Sequence, residues 1–225
     1  GKLGSDVLTV GSGAGAFADK NIGTAKTVSI TGLTLGGADA ANYTLASNTA
    51  AATADITVAT ISAIIGITAS NKVYDATTAA GLNTGGAAFT GRLGSDVLTV
   101  VSSTGAFADK NVGAGKTVSI TGLTLGGADA ANYTLASTTA QTTADVTVAM
   151  ISAITGITAT DRVYDTTTTA TLNVGVASFT GRLGSDVLTV ASSTGAFADK
   201  NVGTGKTVSV TGLVLGGADA GNYIL

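Results

Sequence analysis

Gly1-Lys2-Leu3-Gly4-Ser5-Asp6-Val7-Leu8-Thr9-Val10 returns at 91–100 and again at 181–190, with Arg92 and Arg182 as the only change. The interval is 90 residues each time, and the copies align without insertion or deletion. A period of this length exceeds the roughly 20 to 50 residues of a single solenoid coil and matches a small domain with its own core. The sequence therefore predicts a string of beads, an arrangement that supplies length or multiplicity.

The repeat has a natural start near Ile61 and Ile151, where an apolar stretch leads into Val73-Tyr74-Asp75 and Val163-Tyr164-Asp165. In this frame 61–150 is a complete repeat, 1–60 lacks the start of one and 151–225 lacks its end. The expectation is a window of a longer array. The alternative is a protomer whose incomplete ends are completed by neighbours through strand donation.

Apolar residues make up 44% of the chain and its mean hydropathy is +0.44, which excludes the composition of a disordered polymer. Most of that content is Ala and Val, and there is no Trp. Each repeat is thus expected to pack a thin core around few aromatics, Tyr74, Phe89, Phe107 and Tyr133 in the complete copy. There is no Cys, so neither disulfides nor thiol chemistry contribute. The longest nearly apolar run, Val58 to Ile67, is broken by Thr60, Ser62 and Gly66 and is shorter than the roughly 20 residues of a spanning helix. Neither a membrane segment nor a signal peptide is recognised. A net charge of -3 with no basic cluster removes the footprint needed for nucleic acid.

Thr, Val and Ile dominate, and no stretch sustains a helical apolar period, so strands are expected almost throughout, antiparallel and turn-linked. In Lys116-Thr117-Val118-Ser119-Ile120 the apolar residues alternate, but beyond Gly122 the apolar set becomes Leu123 and Leu125. Such a change of parity predicts a bulge or a strand crossing between sheets. Gly126-Gly127-Ala128-Asp129 then forms a turn before Asn132-Tyr133-Thr134-Leu135 resumes an extended path. About 90 residues of short strands and turns suggest an immunoglobulin-like sandwich. Differences between copies at 11–15, 22–25, 48–52 and 76–86 are read as loops or exposed strand ends.

Between copies, 54–69 contains no flexible Gly/Ser tract. Ile56 and Val58 share one face and Ile61, Ala63, Ile65 and Ile67 the other, with the parity change at Ala59-Thr60. A strand ending one domain is expected to run almost directly into the next, restricting bend and twist. The fold class expected is all-β, tandem immunoglobulin-like antiparallel β-sandwich domains arranged as a rod.

Val73-Tyr74-Asp75-Ala76-Thr77-Thr78, Phe107-Ala108-Asp109-Lys110-Asn111-Val112-Gly113 and Gly127-Ala128-Asp129-Ala130-Ala131-Asn132-Tyr133-Thr134-Leu135 resemble the YDG-type repeat found in tandem in large bacterial surface proteins, notably filamentous-haemagglutinin-like adhesins. The resemblance covers essentially the whole chain. It departs in one place: the Gly after Tyr-Asp is Ala76 here and Thr166 in the next copy, replacing the residue best suited to a positive-φ turn. The resemblance implies export, an extracellular or cell-surface setting and a stalk or fibre role.

Catalysis is not expected, because the chain has no His, Cys or Glu and its Ser and Thr lack an activating partner. Leu35-Gly36-Gly37-Ala38 lacks the Lys-Ser/Thr ending of a phosphate loop. No catalytic, cofactor or metal residue is assigned. Calcium is the alternative to consider, with Asp75, Asp96, Asp109, Asp129 and Asp145 as oxygen donors, although none forms an Asp-x-Asp-x-Asp cluster. An amide between Lys110 or Lys116 and Asn132, and an ice-binding face of Thr, are further alternatives that the sequence favours less. The leading expectation is a structural stalk, with neighbouring repeats, and lateral or end-to-end copies, as partners. The alternatives are a multivalent binding module gaining avidity from repetition and a strand-donating protomer.

Overall fold

The computed structural model describes all residues, Gly1–Leu225. The chain is all-β, its strands joined by turns and by three single 3-10 turns at Ala40–Asn42, Ala130–Asn132 and Ala220–Asn222. No helix is long and apolar enough to cross a membrane.

Two compact units form, and their limits cut across the 90-residue repeat. The first comprises Gly1–Ile65, Ala88–Val101 and Thr124–Ser137; the second comprises Gly66–Ala87, Ser102–Leu123 and Thr138–Leu225. The complete copy, 61–150, is thus shared. Its 88–101 and 124–137 portions pack with the first copy, and its 66–87, 102–123 and 138–150 portions pack with the third. The four aromatics expected to form one core therefore part company: Phe89 and Tyr133 belong to the first unit, Tyr74 and Phe107 to the second. The physical reason is burial, because each half of a copy covers its apolar face with half of a neighbouring copy.

In the first unit, Thr9–Phe17, Gly23–Gly36 and Ala50–Ile56 form an antiparallel sheet. The second contains most of a five-stranded sheet in the order Lys72–Val73, Ala140–Thr147, Gly113–Gly126, Thr99–Phe107, Ala79–Ala80, all but the Thr99–Val101 and Thr124–Gly126 ends of its two long strands. It also contains a three-stranded sheet of Thr169–Ala170, Thr189–Phe197 and Val208–Gly216. The expectation of purely antiparallel pairing is corrected at three places. Tyr133–Leu135 runs parallel to Ala59–Ile61, Val146-Thr147 parallel to Lys72–Val73, and Ala149–Met150 parallel to Tyr223–Ile224. Parallel partners need a long crossover, and the intervening strands of the repeat supply it.

The parity change expected at Gly122 is a bulge. The matching strands gain one residue between Thr31 and Thr34 and between Thr211 and Val214, around Gly32 and Gly212, and Gly122 itself has φ 66°. Val118, Ile120 and Leu123 all end up buried as a result. The reading of 54–69 needs correction: Ile61, Ile64 and Ile67 are buried, whereas Ile65 is exposed. Breaks at Ser62 and Gly66 divide the run into three short strands, each with a different partner: Tyr133–Leu135, Ala88–Thr90 and Leu82–Asn83. Each break rotates the side chains, so a single alternation does not persist. The divergent stretch 11–15 is another correction, since it sits in mid-strand within Thr9–Phe17, though exposed.

In the second unit the core gathers Tyr74, Phe107, Val118, Ala144, Val146, Ala149, Ile151, Leu188 and Tyr223. Tyr74 and Tyr223 meet edge to face, with centroids 5.4 Å apart.

Candidate functional site

The chemistry-bearing side chains of each repeat converge where one copy meets the next. Three local structures deliver them.

Asp109-Lys110-Asn111 is an Asx turn: the Asp109 carboxylate accepts the Asn111 N–H at 2.8 Å. The Lys116 ammonium bonds that carboxylate and the Asn111 carbonyl, locking the loop from beneath. Lys110 is left at the tip, facing outward. Asp19–Lys26 and Asp199–Lys206 repeat the same turn, with Asn21 N–H and Asn201 N–H each 2.8 Å from their Asp.

The second structure is Gly127-Ala128-Asp129-Ala130-Ala131-Asn132-Tyr133. Gly127 has φ 99°, and a Cβ there would run into the Val97 carbonyl oxygen. The 3-10 turn that follows eclipses residues three apart, so Asp129 and Asn132 present their polar ends on the same side. Asp129 accepts the Val97 N–H at 2.8 Å, and Tyr133 donates its hydroxyl to Asp96 at 2.7 Å while accepting the Leu93 N–H at 3.0 Å. The same set recurs around Asp39, Tyr43 and Asp6, and around Asp219, Tyr223 and Asp186.

The third is Val73-Tyr74-Asp75. Asp75 accepts the Thr77 N–H at 2.9 Å and the Lys72 ammonium at 2.8 Å. The turn keeps a left-handed residue although Gly is absent, with φ 62° at Ala76 and 70° at Thr166. It points Tyr74 into the core.

In the second unit these pieces come together. Lys110 of the second copy reaches the carboxylates of Asp186 and Asp219 of the third, the latter at 3.0 Å. Asp186 also accepts the hydroxyls of Tyr74 at 2.6 Å and Tyr223 at 2.7 Å. Asn222 accepts the Val112 N–H at 2.9 Å and donates to Asn111 at 3.1 Å. The first unit holds the same joint between the first and second copies: Lys20 on Asp96 and on Asp129 at 2.7 Å, and Asn132 on Ile22 N–H at 3.0 Å and Asn21 at 3.1 Å.

A single Asp position thus appears in three environments. Asp6 receives one side-chain donor, Tyr43; Asp96 receives two, Tyr133 and Lys20; Asp186 receives three. Asp186 is 2% exposed and its partners match its charge and its lone pairs, as a buried carboxylate requires. Burial pushes its acidity toward the neutral form, but Lys110, Tyr74 and Tyr223 together outweigh it and hold the carboxyl below the usual range. Lys110 is raised above the ordinary lysine value, chiefly by Asp186. Burial first, then the Asp186 carboxylate, pushes the Tyr223 phenol up to about 12.

The Asp residues considered as calcium ligands are dispersed over these roles. Asp75 and Asp109 each cap a turn and pair with a Lys, Asp96 and Asp129 hold Lys20, and Asp145 accepts the Gly115 N–H at 2.7 Å. No group of three or more His, Cys, Asp or Glu is gathered in a form that could hold a metal ion. Lys110, Lys116 and Asn132, the candidates for an amide, bond to Asp219, Asp109 and Asn21 respectively. The joint residues Lys20, Lys110, Asp186, Asp219 and Asn222 were not singled out from sequence as interacting. The only signal was their recurrence in all three copies, which carries no information about contact between copies.

The structure defines a tandem-repeat, all-β protein in which each copy is tied to the next by a charged, tyrosine-backed joint. The YDG domain model matches residues 1–51, 57–140 and 148–225, and the chain belongs to the YDG domain family. No curated protein and no solved structure matched it.

Proposed function

We propose that this chain is a structural stalk or fibre module of a bacterial extracellular adhesin or surface filament, giving length and stiffness. The observation that carries this reading is the recurrence of one joint: Lys20 on Asp96 and Asp129, then Lys110 on Asp186 and Asp219. A spacer has to transmit load from copy to copy, and these contacts join consecutive copies. In this reading the beads are immunoglobulin-like sandwiches strung as a rod, and each is stabilised by residues of two copies. The resemblance to repeats of filamentous-haemagglutinin-like adhesins supports a place outside the cell. The mechanism is passive: it uses no catalytic residue and no cofactor, and its partners are neighbouring repeats.

The test is electron microscopy of the native assembly in calcium and in chelator. A beaded rod whose length rises in proportion to the number of repeats, unchanged by chelator, is the expected result. Collapse or fragmentation in chelator would move calcium from alternative to mechanism, and a compact particle would overturn the spacer role.

A further inference from the structure

The joint of the second unit sets an amine, two carboxylates and a backbone donor around one point. Lys110 Nζ lies against Oδ1 of Asp186 and, at 3.0 Å, against Oδ1 of Asp219. The two oxygens of each carboxylate have separate partners. Asp186 Oδ2 accepts the hydroxyls of Tyr74 at 2.6 Å and Tyr223 at 2.7 Å, which leaves its Oδ1 to the lysine. Asp219 Oδ2 accepts the Val187 N–H at 2.8 Å, which leaves its Oδ1 facing the same nitrogen. The Tyr74 ring closes one side, its centroid 5.8 Å from Nζ. Side-chain exposure is 1% for Asp186, 17% for Asp219 and 34% for Lys110, so little water reaches the charged atoms.

We propose that Lys110 and Asp219 condense to a side-chain amide, with Asp186 as the general base, so that the second copy is tied covalently to the third. Lys110 first passes one ammonium proton across the 3.0 Å contact to Asp219 Oδ1, leaving an amine beside a carboxylic acid. Nζ then attacks Asp219 Cγ, and the charge that develops on Oδ2 is met by the Val187 N–H already pointing at it. Asp186 takes a second proton from the nitrogen and returns it to Oδ1, since both Oδ1 atoms adjoin that nitrogen. The C–Oδ1 bond breaks, one water leaves, one N–H stays on the new amide, and Asp186 ends as the carboxylate it began. No oxidant or cofactor enters the balance. Two features favour a condensation that dilute amine and acid in water do not undergo. The locked Asx turn and the 3-10 turn hold the reactants in contact, which removes the entropy cost of bringing them together. The product also replaces a poorly hydrated ion pair with a neutral group. The joint of the first unit has the same groups in a wetter setting, with Lys20 60% and Asp96 13% exposed and a single Tyr on Asp96, so the bond is assigned to Lys110 and Asp219. This inference rests on the joint alone and stands whether or not the protein serves as a stalk.

Intact mass of the denatured chain, taken after prolonged incubation of the folded protein, tests this. The wild type is expected to weigh one water less than its sequence. A tryptic digest should yield 93–116 uncleaved at Lys110 and joined to 207–225. Lys110→Arg keeps the charge but not the nucleophile, and Asp219→Ala removes the acceptor, so both should show the full mass of their sequences. Asp186→Asn keeps an oxygen for the tyrosine hydroxyls and loses the base; with a wild-type circular dichroism spectrum it should also show its full mass. The wild-type measurement decides without any variant. A wild type at the full mass of its sequence overturns the proposal. So does a loss of water that mild base reverses, which marks a cyclised Asp, or a bond found at Lys20 and Asp129 but not at Lys110 and Asp219. A folded Asp186→Asn that still forms the bond overturns the role given to Asp186.

Discussion

The two compact units contain equivalent strands from successive copies, yet they bury them differently. Phe17 in the first unit is 37% exposed and its equivalent in the second, Phe107, is 3% exposed. Thr9–Phe17 is exposed along its whole length, while Thr99–Phe107 alternates and buries its end. The difference lies in 66–87. In the second unit, Ala69, Ala76, Ala80 and Leu82 pack on the Phe107 cluster, Ala79–Ala80 pairs with Gly105-Ala106, and the Lys72 ammonium lies 5.4 Å over the Phe107 ring. The first unit has the joint without this cover. A joint alone holds two copies together; joint and cover together make a core.

The largest separation between the units should come from the aromatic ring itself. Phe107→Ala is expected to lower stability by about 3–5 kcal/mol, and Phe17→Ala by much less, because only the first leaves a cavity. Denaturant melts following the loss of β signal would show it, and equal effects would break the comparison. The Asp series comes next. Asp186→Ala should cost about 3–5 kcal/mol, since it strands Tyr74 and Tyr223 in the core and removes one carboxylate from Lys110. Asp96→Ala should cost less and Asp6→Ala least, in the order of their donors. The same network sets the pH response. Asp186 is held below its unfolded value, so its contribution is complete above about pH 4 and fades as pH falls through that value. Tyr223 has the opposite sign: its contribution is complete below about pH 10 and fades as pH rises toward 12. Melts at pH 3, 7 and 11 with Asp186→Asn as control should find both losses smaller in the variant.

A smaller contrast is steric. A Cβ at Gly105 would meet the Ala80 carbonyl oxygen at 2.9 Å and Leu82 at 2.8 Å, whereas at Gly15 it would meet only Val28, at 3.0 Å. Gly105→Ala should therefore destabilise by about 1–3 kcal/mol and Gly15→Ala by a few tenths. The smallest effect should have the same sign in both units. Ala25 in the first and Ala76 and Thr166 in the second hold positive φ. Replacing each with Gly should stabilise by up to about 1 kcal/mol, most at Thr166, whose branched side chain fits that region worst.

Strands, turns and the bulge at Gly122 were legible because they rest on local rules: side-chain alternation, its reversal, and Gly-Asp turn chemistry. The path of 59–69 was less so, since Ser62 and Gly66 redirect each short strand toward a partner between 13 and 74 residues away. The joint was not legible at all. Asp109-Lys110-Asn111 reads as an ordinary turn because it is one; what makes Lys110 more than a surface charge is an Asp pair 76 and 109 positions onward. A repeat with a strict period hides such contacts, because within-copy and between-copy pairings leave the same pattern. Tyr74 was correctly expected in a core, and the identity of the copy that supplies the other half was beyond the sequence.

Hydrogen exchange read by mass spectrometry on the wild type and on Asp186→Ala tests the central claim most directly, that the cooperative bodies are joints between copies. The account predicts that the substitution speeds exchange across 66–87, 102–123 and 138–225 and leaves 1–65 at its wild-type rate. Acceleration confined to 151–225, or running evenly through 61–150, would mean that the sequence repeat is the folding body and would contradict it.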